Sequence, residues 1–496
     1  MLYSMHRQKR ASDAGRHGLG RDKVVTRVTP NTAWRRMASL HTQRCMSPRT
    51  NIHERKKRTM KYALTNFTLL NGKEDMTPQT GLIATVEQGK FQHIAPANEF
   101  DLSGYEIVNL NGGYLMPGLI NMHVHLIING KPPKSEKPTD YRKLVQSLRD
   151  KRLVKAVFLK SEAQNAKNQL LSGVTTMRTV GGVYNWDGIV RDRINTGEIP
   201  GPRILSANMA VSVPGGHFAG SLATEATSAE EAAQHVREIA ATNPNLIKLM
   251  ITGGVMDATG EGEPGALRMP PELVRAACEQ AHQLGFPVAA HVESTEGVMV
   301  ALENGVDTIE HGAAPTPEML ELFKARNASL ICTISPALPY AEMPLDVAKC
   351  GELGRKNGTI VFQGIVDCAK ACLEAGIPVG LGTDTGCPFI THYNMWREVR
   401  YFAQYCNVSN AFALHTATLR NAQILGLDEE IGSIEPGKCA DFIVTAQNPL
   451  ENLEALRHLN AVARDGKIIF DPQPKLTKGV DAPLDALNTA FVEAHS

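Results

Sequence analysis

Apolar and polar positions follow two different patterns along the chain. Residues 61–112 hold short apolar runs broken by Gly and Asn, such as "YALTNFTLLNG" and "YEIVNLNGG", and residues 432–473 show the same pattern in "GSIEPGKCADFIVTAQ". Short runs bounded by turn residues predict small antiparallel hairpins. We therefore expect the two ends of the chain to meet in one small β-sandwich domain.

The region between these ends alternates short apolar runs with helical patterns such as "EEAAQHVREIAAT" and "PELVRAACEQAHQLG". The segments that separate the runs are long enough for parallel crossover connections. Eight runs read as strands, at residues 119–125, 174–180, 203–209, 246–250, 287–292, 307–312, 329–335 and 378–384. Eight strands with helices between them predict an α/β fold of the (β/α)8 TIM barrel type.

A doubly wound sheet would use the same alternation, but it calls for a phosphate-binding loop after an early strand. The glycine-rich stretches "GVTTMRTVGG" and "TGGVMDATGEG" do not fit G-x-G-x-x-G. The barrel is therefore the better prediction. It divides the chain into a basic extension over residues 1–59, a composite β domain over 60–115 and 430–491, and a catalytic barrel over 116–429.

Charge separates the first segment from the rest. Residues 1–59 carry 15 Lys and Arg against 3 Asp and Glu, with few apolar positions and no periodicity, so we expect disorder there. Three interpretations stay open: a basic targeting arm such as a transit peptide, a nucleic-acid-binding tail, or an extension upstream of a start at Met60. The remaining 37 basic and 48 acidic residues make nucleic-acid binding by the body unexpected.

Composition and cysteine usage predict a cytoplasmic protein. No stretch approaches the roughly 18 apolar residues of a membrane span, so we expect no membrane association. The nine cysteines include no CxxC pair, which predicts reduced, buried thiols rather than a disulfide framework or a cysteine-based zinc site.

Histidine interrupts the apolar run "LMPGLINMHVHLI" twice, at His123 and His125. Residues i and i+2 of a strand share a face, so both imidazoles point the same way. Active-site groups of a barrel lie at the carboxyl ends of its strands. The other polar residues at or near predicted strand ends are Lys248, His291, His311 and Asp384.

Each of these residues alone has an ordinary structural explanation. A histidine at a strand end can be a hydrogen-bonded core residue, an Asp in "GTD" can cap the next helix, and a lysine can extend to solvent. Their joint occurrence favours a metal site instead, because four imidazoles and a carboxylate suit zinc. Six candidate ligands are too many for one metal, so we expect two divalent ions.

Lys248 decides how two such ions would be held. A buried ammonium aimed at two divalent cations would be repelled and costly. A lysine that has reacted with carbon dioxide carries an anionic carbamate, whose two oxygens can bridge both ions. We therefore expect carbamylated Lys248, against the alternative of an ordinary ion-paired lysine.

The motifs "NMHVHL", "LIKLMITGG", "VAAHVE", "TIEHG" and "GLGTD" resemble the amidohydrolase superfamily over essentially all of residues 60–491. Within it, the chain is most similar to the branch of imidazolonepropionase-like proteins, prolidase-like Xaa-amino-acid dipeptidases and ochratoxinase-type amidases. The segment before Met60 has no counterpart in this pattern.

The resemblance implies a distorted barrel with a binuclear centre. His123 and His125 would hold the more buried metal with Asp384, His291 and His311 would hold the other, and carbamylated Lys248 would bridge them. A hydroxide shared by the metals would attack a carbonyl, and Asp384 would move the proton to the leaving nitrogen. The bond broken would be the C–N bond of an amide.

The branch implies N-acyl amino acids or dipeptides as substrates, whose free carboxylate needs a cationic partner. His217, in "VPGGHF", and Arg178 are the candidates, although a loop contact and a structural ion pair would explain them equally. Two other functions stay open: opening of cyclic amides, as by an imidazolonepropionase, and a non-catalytic scaffold, which is disfavoured because no ligand position is vacant. We also expect a homo-oligomer.

Overall fold

The computed structural model describes residues 61–135, 142–143, 145 and 152–495, so the predicted extension over residues 1–59 lies outside the described residues. Short strands occur along the described residues from Lys61 to Phe470. In chain order they are β1 (Lys61–Leu69), β2 (Leu82–Glu87), β3 (Lys90–Pro96), β4 (Glu106–Pro117), β5 (Leu119–Val124), β6 (Val174–Thr179), β7 (Arg203–Ser206), β8 (Ala210–Ser212), β9 (Ala223–Glu225), β10 (Ile247–Met250), β11 (Val288–Val292), β12 (Thr308–His311), β13 (Ser329–Cys332), β14 (Val379–Leu381), β15 (Phe442–Thr445), β16 (Leu459–Arg464) and β17 (Lys467–Phe470).

Helices separate the central strands. They are α1 (Arg152–Leu171), α2 (Trp186–Asn195), α3 (Ala229–Ala240), α4 (Pro271–Gln283), α5 (Thr295–Glu303), α6 (Pro317–Arg326), α7 (Leu338–Glu342), α8 (Leu345–Ala348), α9 (Gly351–Glu374), α10 (Met395–Tyr405), α11 (Asn410–His415), α12 (Asn421–Ile424) and α13 (Asp481–His495). The two helical patterns noted in the sequence correspond to α3 and α4. Ser228 caps α3 by accepting a hydrogen bond from the Glu231 N–H, and Pro271 occupies the first turn of α4.

One seven-stranded mixed sheet contains strands from both chain ends, in the order β17-β16-β15-β4-β1-β2-β3. The ends meet where β15 pairs antiparallel with β4, with Phe442 opposite Pro117. Its own apolar cluster includes Phe91 and Phe442, whose ring centroids are 6.1 Å apart. This sheet, built from both chain ends, is consistent with the small β domain. The domain limits at residues 60–115, 116–429 and 430–491 stay a prediction.

The central strands are parallel and form a seven-stranded sheet, ordered β14-β13-β12-β11-β10-β8-β9, and a three-stranded sheet, ordered β5-β6-β7. Every residue of β5, β6, β10, β11 and β12 is buried. Burial on both faces is expected of parallel strands whose crossover helices cover the sheet. The protein therefore has a mixed α/β fold.

Backbone hydrogen bonds join the two parallel sheets at both sides of the smaller one. The His125 N–H, just after β5, donates to the Thr385 carbonyl beyond β14 at 2.9 Å. On the other side, the Asn245 N–H ahead of β10 donates to the Ser206 carbonyl at the end of β7, at 2.7 Å. All ten parallel strands are thus connected through backbone contacts.

The eight predicted runs all contain described strands, but some of the predicted bounds are too long. The run over residues 203–209 ends early because Asn208 adopts a left-handed conformation, with φ of 59°, and separates β7 from β8. The run over 329–335 ends at Cys332. Beyond it, the backbone N–H groups of Ile334 and Ser335 donate to the buried carboxylate of Glu398 instead of to a neighbouring strand.

Candidate metal centre

A cavity of about 720 Å³ lies at the carboxyl ends of the parallel strands. β4 of the mixed sheet continues through Gly118 into β5, whose carboxyl end lies at the cavity. Gly118 packs so closely against Thr175 that a Cβ there would clash with the threonine Oγ1. All six predicted metal ligands line this cavity: His123, His125, Lys248, His291, His311 and Asp384. The fold therefore brings together side chains that the sequence spreads over more than 250 positions.

His123 and His125 point their Nε2 atoms at one carboxylate oxygen. Oδ1 of Asp384 lies 3.5 Å from Nε2 of His123 and 3.4 Å from Nε2 of His125. On the other side of the rings, Nδ1 of His125 donates to the Gly181 carbonyl at 2.8 Å, and Nδ1 of His123 donates to the Glu310 carboxylate at 2.8 Å. A neutral imidazole held at Nδ1 presents the Nε2 lone pair to the cavity, as a metal ligand must.

His291 and His311 form a second pair at the ends of adjacent strands, with ring centroids 4.7 Å apart. Nδ1 of His311 hydrogen-bonds with the Thr333 hydroxyl at 2.7 Å, and Nε2 of His291 donates to the Gly253 carbonyl at 3.3 Å. The two pairs are neighbours, since the rings of His123 and His311 have centroids 4.8 Å apart.

The side chains fit divalent metal ions. His123, His125 and Asp384 each offer one ligand atom within 4.8 Å of the others, and so do His291, His311 and Glu293. Imidazole nitrogens and carboxylate oxygens are the donors that zinc takes in catalytic sites.

Lys248 lies fully buried in the cavity wall, and its Nζ has no hydrogen-bond partner among the described residues. Burial lowers the pKa of this amine to about 8, although the nearby Glu310 carboxylate opposes the shift. An orphaned, easily deprotonated amine between two sets of metal ligands fits the predicted conversion to a carbamate.

Burial also keeps three of the histidines, His123, His291 and His311, neutral. The pKa of His123 falls to about 4, because the ring is buried and close to Lys248, and the pKa values of His291 and His311 fall well below the usual range for the same first reason. Burial alone would raise the pKa of Asp384, but the adjacent imidazoles, His123 first, hold it well below its ordinary value. The groups are thus in the ligating forms near neutral pH.

Arg178 is placed differently from the other predicted residues. It is fully buried and, unlike the predicted metal ligands, does not line the cavity. Its guanidinium donates to both carboxylate oxygens of Glu310, at 2.6 and 2.7 Å, and to the carbonyl of Met122 at 2.7 Å. Burial would raise the pKa of Glu310, but Arg178 holds it far below its ordinary value, so Glu310 accepts from His123.

His217 does line the cavity. Its ring stacks on that of His291, with centroids 4.1 Å apart and planes 8° from parallel. Nδ1 of His217 lies 2.5 Å from Oδ2 of Asp257, which also accepts from the N–H of Gly254 at 2.9 Å. The imidazole is therefore held against the second histidine pair.

Sequence reasoning missed several residues of the cavity wall. Glu293 follows His291 by two positions in "HVE", the same spacing that led to His123 and His125, so the strand period was a usable signal. Asp257 and Cys387 also line the cavity without having been predicted. Four cations of the wall were also missed, namely Lys131, Lys134 and Lys349 on loops and Arg142 in a helical stretch.

Comparison with known proteins decides the family. The model of the Amidohydrolase family matches residues 114–470. The chain belongs to the amidohydrolase family. A solved structure of a prolidase-like protein from Bifidobacterium longum shares 36% identity with this amidohydrolase, covers 86% of this chain and 99% of that one, and has a TM-score of 0.76.

Two further similarities lie in the same branch. A solved Xaa-Pro dipeptidase with methionine bound in its active site is 26% identical, with a TM-score of 0.71 over 83% of this chain and all of that one (100%). Ochratoxinase of Aspergillus niger is 25% identical over 342 residues, or 62% of this chain and 68% of that protein. These findings confirm the family resemblance and support a hydrolase acting on amide and related C–N bonds.

The helices bear on the predicted absence of a membrane span. Among the described residues, no helix combines the length and the apolar character that crossing a bilayer requires.

Proposed function

We propose that this amidohydrolase is a binuclear metal-dependent amidase or dipeptidase that cleaves the C–N amide bond of N-acyl amino acids or dipeptides. The observation that carries the proposal is that two sets of side chains, each with two histidines and one carboxylate, line the same cavity. His123, His125 and Asp384 would hold one ion, and His291 and His311 the other. When bound, two divalent ions such as zinc lower the pKa of a shared water and polarise the scissile carbonyl.

Asp384 is the group that moves the proton. Its Oδ1 faces the first histidine pair, while its Oδ2 accepts a weak hydrogen bond from the Cys387 thiol at 3.2 Å. The two carboxylate oxygens thus have different partners, and both belong to a side chain that lines the cavity. From there Asp384 takes a proton from the attacking water and delivers it to the leaving nitrogen, a transfer that typically contributes about 10²–10⁴-fold to the rate.

Lys248 would link the two ion sites as a carbamate. The ammonium first loses one proton to solvent; the resulting neutral amine forms an N–C bond with carbon dioxide and releases a second proton, so the side chain changes overall from a cation to an anion. The absence of a hydrogen-bond partner for Nζ among the described residues and its lowered pKa support this step.

The cavity wall favours substrates with a free carboxylate. Four cationic side chains line it, and His217 lies beside the second histidine pair. We propose His217 and the three lysines of the wall as the partners of the substrate carboxylate, in place of Arg178 and Arg142, whose guanidinium groups are already paired with Glu310 and Glu225. The dipeptidase and ochratoxinase names of the similar proteins support the same class of amide substrates.

The proposal extends to the architecture and the setting of the site. We propose that the two parallel sheets, joined by hydrogen bonds at both sides, constitute one distorted (β/α)8 barrel, with the mixed sheet as the small β domain. The cytoplasmic location and the homo-oligomer stay predictions from the sequence.

A substrate panel tests the function. Zinc-loaded protein is assayed on N-acyl amino acids and dipeptides, on the matching compounds with the carboxylate converted to a neutral amide, and on cyclic amides. We expect turnover of the free acids and at least tenfold lower kcat/KM for the neutral amides. Preferential opening of cyclic amides would support the imidazolonepropionase-type alternative, and two bound metals without turnover of any amide would support a scaffold.

A further inference from the structure

Glu293 is a half-buried acid that the mechanism above does not use. It follows β11 directly, and its side chain lines the cavity. One carboxylate oxygen is near the Val255 backbone N–H, while Oε2 is buried and has no hydrogen-bond partner among the described residues. An unpaired carboxylate oxygen in such a place calls for a cationic partner.

The charges around Glu293 strengthen that requirement. The carboxylates of Asp384 and Asp257 are close enough to repel a negative charge on Glu293. Among the described residues, Oε2 of Glu293 has no lysine or arginine as a hydrogen-bond partner. Lys248, which also lines the cavity, no longer carries a positive charge once it has become the proposed carbamate. A cation bound next to Glu293 would offset this repulsion.

Geometry identifies where that positive charge lies. One ligand atom from each of Glu293, His291 and His311 falls within 4.8 Å of the other two, as in the set formed by His123, His125 and Asp384. Both sets therefore consist of two imidazoles and one carboxylate. Two residues of each set also come from one strand end at i and i+2 spacing.

We propose that Glu293 is a direct ligand of the metal ion held by His291 and His311. This inference rests on the proposed binuclear centre and gives its second ion a further protein ligand, besides His291, His311 and the bridging carbamate. The second ion then has an anionic ligand of its own, independent of the carbamate on Lys248.

Titration of metal-free protein with Co²⁺ tests this inference, because the visible absorption of Co²⁺ reports its ligands without any assay of activity. We expect wild type to bind two equivalents. Glu293→Gln should bind one equivalent as wild type does and the second at least about tenfold more weakly, with an altered absorption band. Glu296→Gln is the matched control, since Glu296 is exposed in the first turn of α5 and does not line the cavity.

The outcomes separate the two proposals. Wild type that binds no Co²⁺, even with bicarbonate present, would overturn the proposed function itself. Wild type and Glu293→Gln that both bind two equivalents, with the same affinities and the same spectrum, would overturn only the role of Glu293. Circular dichroism of the metal-free proteins checks folding, and Glu293→Ser is titrated in the same way should the glutamine variant not fold.

Discussion

Nη2 of Arg178 lies 2.6 and 2.7 Å from the two carboxylate oxygens of Glu310, and the same carboxylate lies 2.8 Å from Nδ1 of His123. All three side chains are buried. The ion pair of Arg178 and Glu310, on β6 and β12, thus fixes the tautomer and the direction of His123, a predicted metal ligand. This relationship links the stability of the core to the geometry of the site.

Replacing Arg178 by methionine should therefore destabilise the protein strongly. The change leaves the Glu310 carboxylate buried without its cation, which typically costs about 3–5 kcal/mol. Urea unfolding of metal-free wild type and Arg178→Met measures the difference. As a control, Arg193→Met removes an ion pair with Glu198 whose side chains are 35% and 57% exposed, and should cost at most about 1 kcal/mol. Equal losses for the two variants would contradict the assigned role of Arg178.

Asp384→Asn should leave the fold intact and lower kcat by about 10²–10⁴-fold, since the amide cannot accept the proton from water. Steady-state hydrolysis of the preferred N-acyl amino acid measures the loss, with thermal unfolding as the check on folding. Asp471→Asn, a change at an exposed residue of a surface bend, provides the control. Wild-type turnover by Asp384→Asn would refute its catalytic role.

Lys248→Ala should lose bound metal, because the proposed bridge disappears with the amine. Short carboxylic acids such as propionate should restore part of the metal content and activity by taking the place of the carbamate. Metal analysis before and after the addition measures both effects, and Lys324→Ala, at an exposed lysine of α6, is the control. Full metal occupancy in Lys248→Ala without any added acid would argue against a carbamate bridge.

Two buried carboxylates outside the cavity predict a dependence of stability on pH. Burial raises the pKa of Asp187 to about 6 and that of Glu162 well above its ordinary value, and none of their four oxygens has a hydrogen-bond partner among the described residues. A raised pKa means that the folded protein binds these protons more tightly than the unfolded chain does. The stabilisation is therefore complete in acid, below about pH 4, and is lost as the pH rises through about 6 and beyond.

Asp187→Asn should accordingly stabilise the metal-free protein more at pH 8 than at pH 5, by a difference on the order of 1–3 kcal/mol. Urea unfolding at the two pH values measures it. The exposed Asp192, altered to Asn, should show no such difference. A gain for Asp187→Asn that is equal at both pH values would show that the carboxylate does not change its protonation on unfolding.

The predicted metal ligands, which line one cavity, could be chosen from the sequence because they stand at or near predicted strand ends. His123 and His125 share one face of β5, and the remaining ligands stand at or near the ends of other parallel strands, which all open to the same side. The same rule would have selected Glu293, had it been applied to the pair formed with His291. The strand pattern thus contained more of the site than the histidines alone suggest.

Other features depend on contacts between distant segments and had no local signal. Arg178 and Glu310 are 132 positions apart, so a buried arginine on β6 could not be distinguished from one that reaches the substrate. The lysines of the cavity wall, Lys131, Lys134 and Lys349, stand on loops, where no periodic pattern fixes the direction of a side chain. The early end of β7 depends on a left-handed Asn208, a conformation that asparagine tolerates but does not require.

Anomalous diffraction at the zinc absorption edge, from crystals of the zinc-loaded protein, locates the bound ions and so tests the binuclear centre. We expect two peaks per chain in the cavity, one among His123, His125 and Asp384 and the other beside His291 and His311. A single peak, or peaks away from these residues, would contradict a binuclear centre at this site.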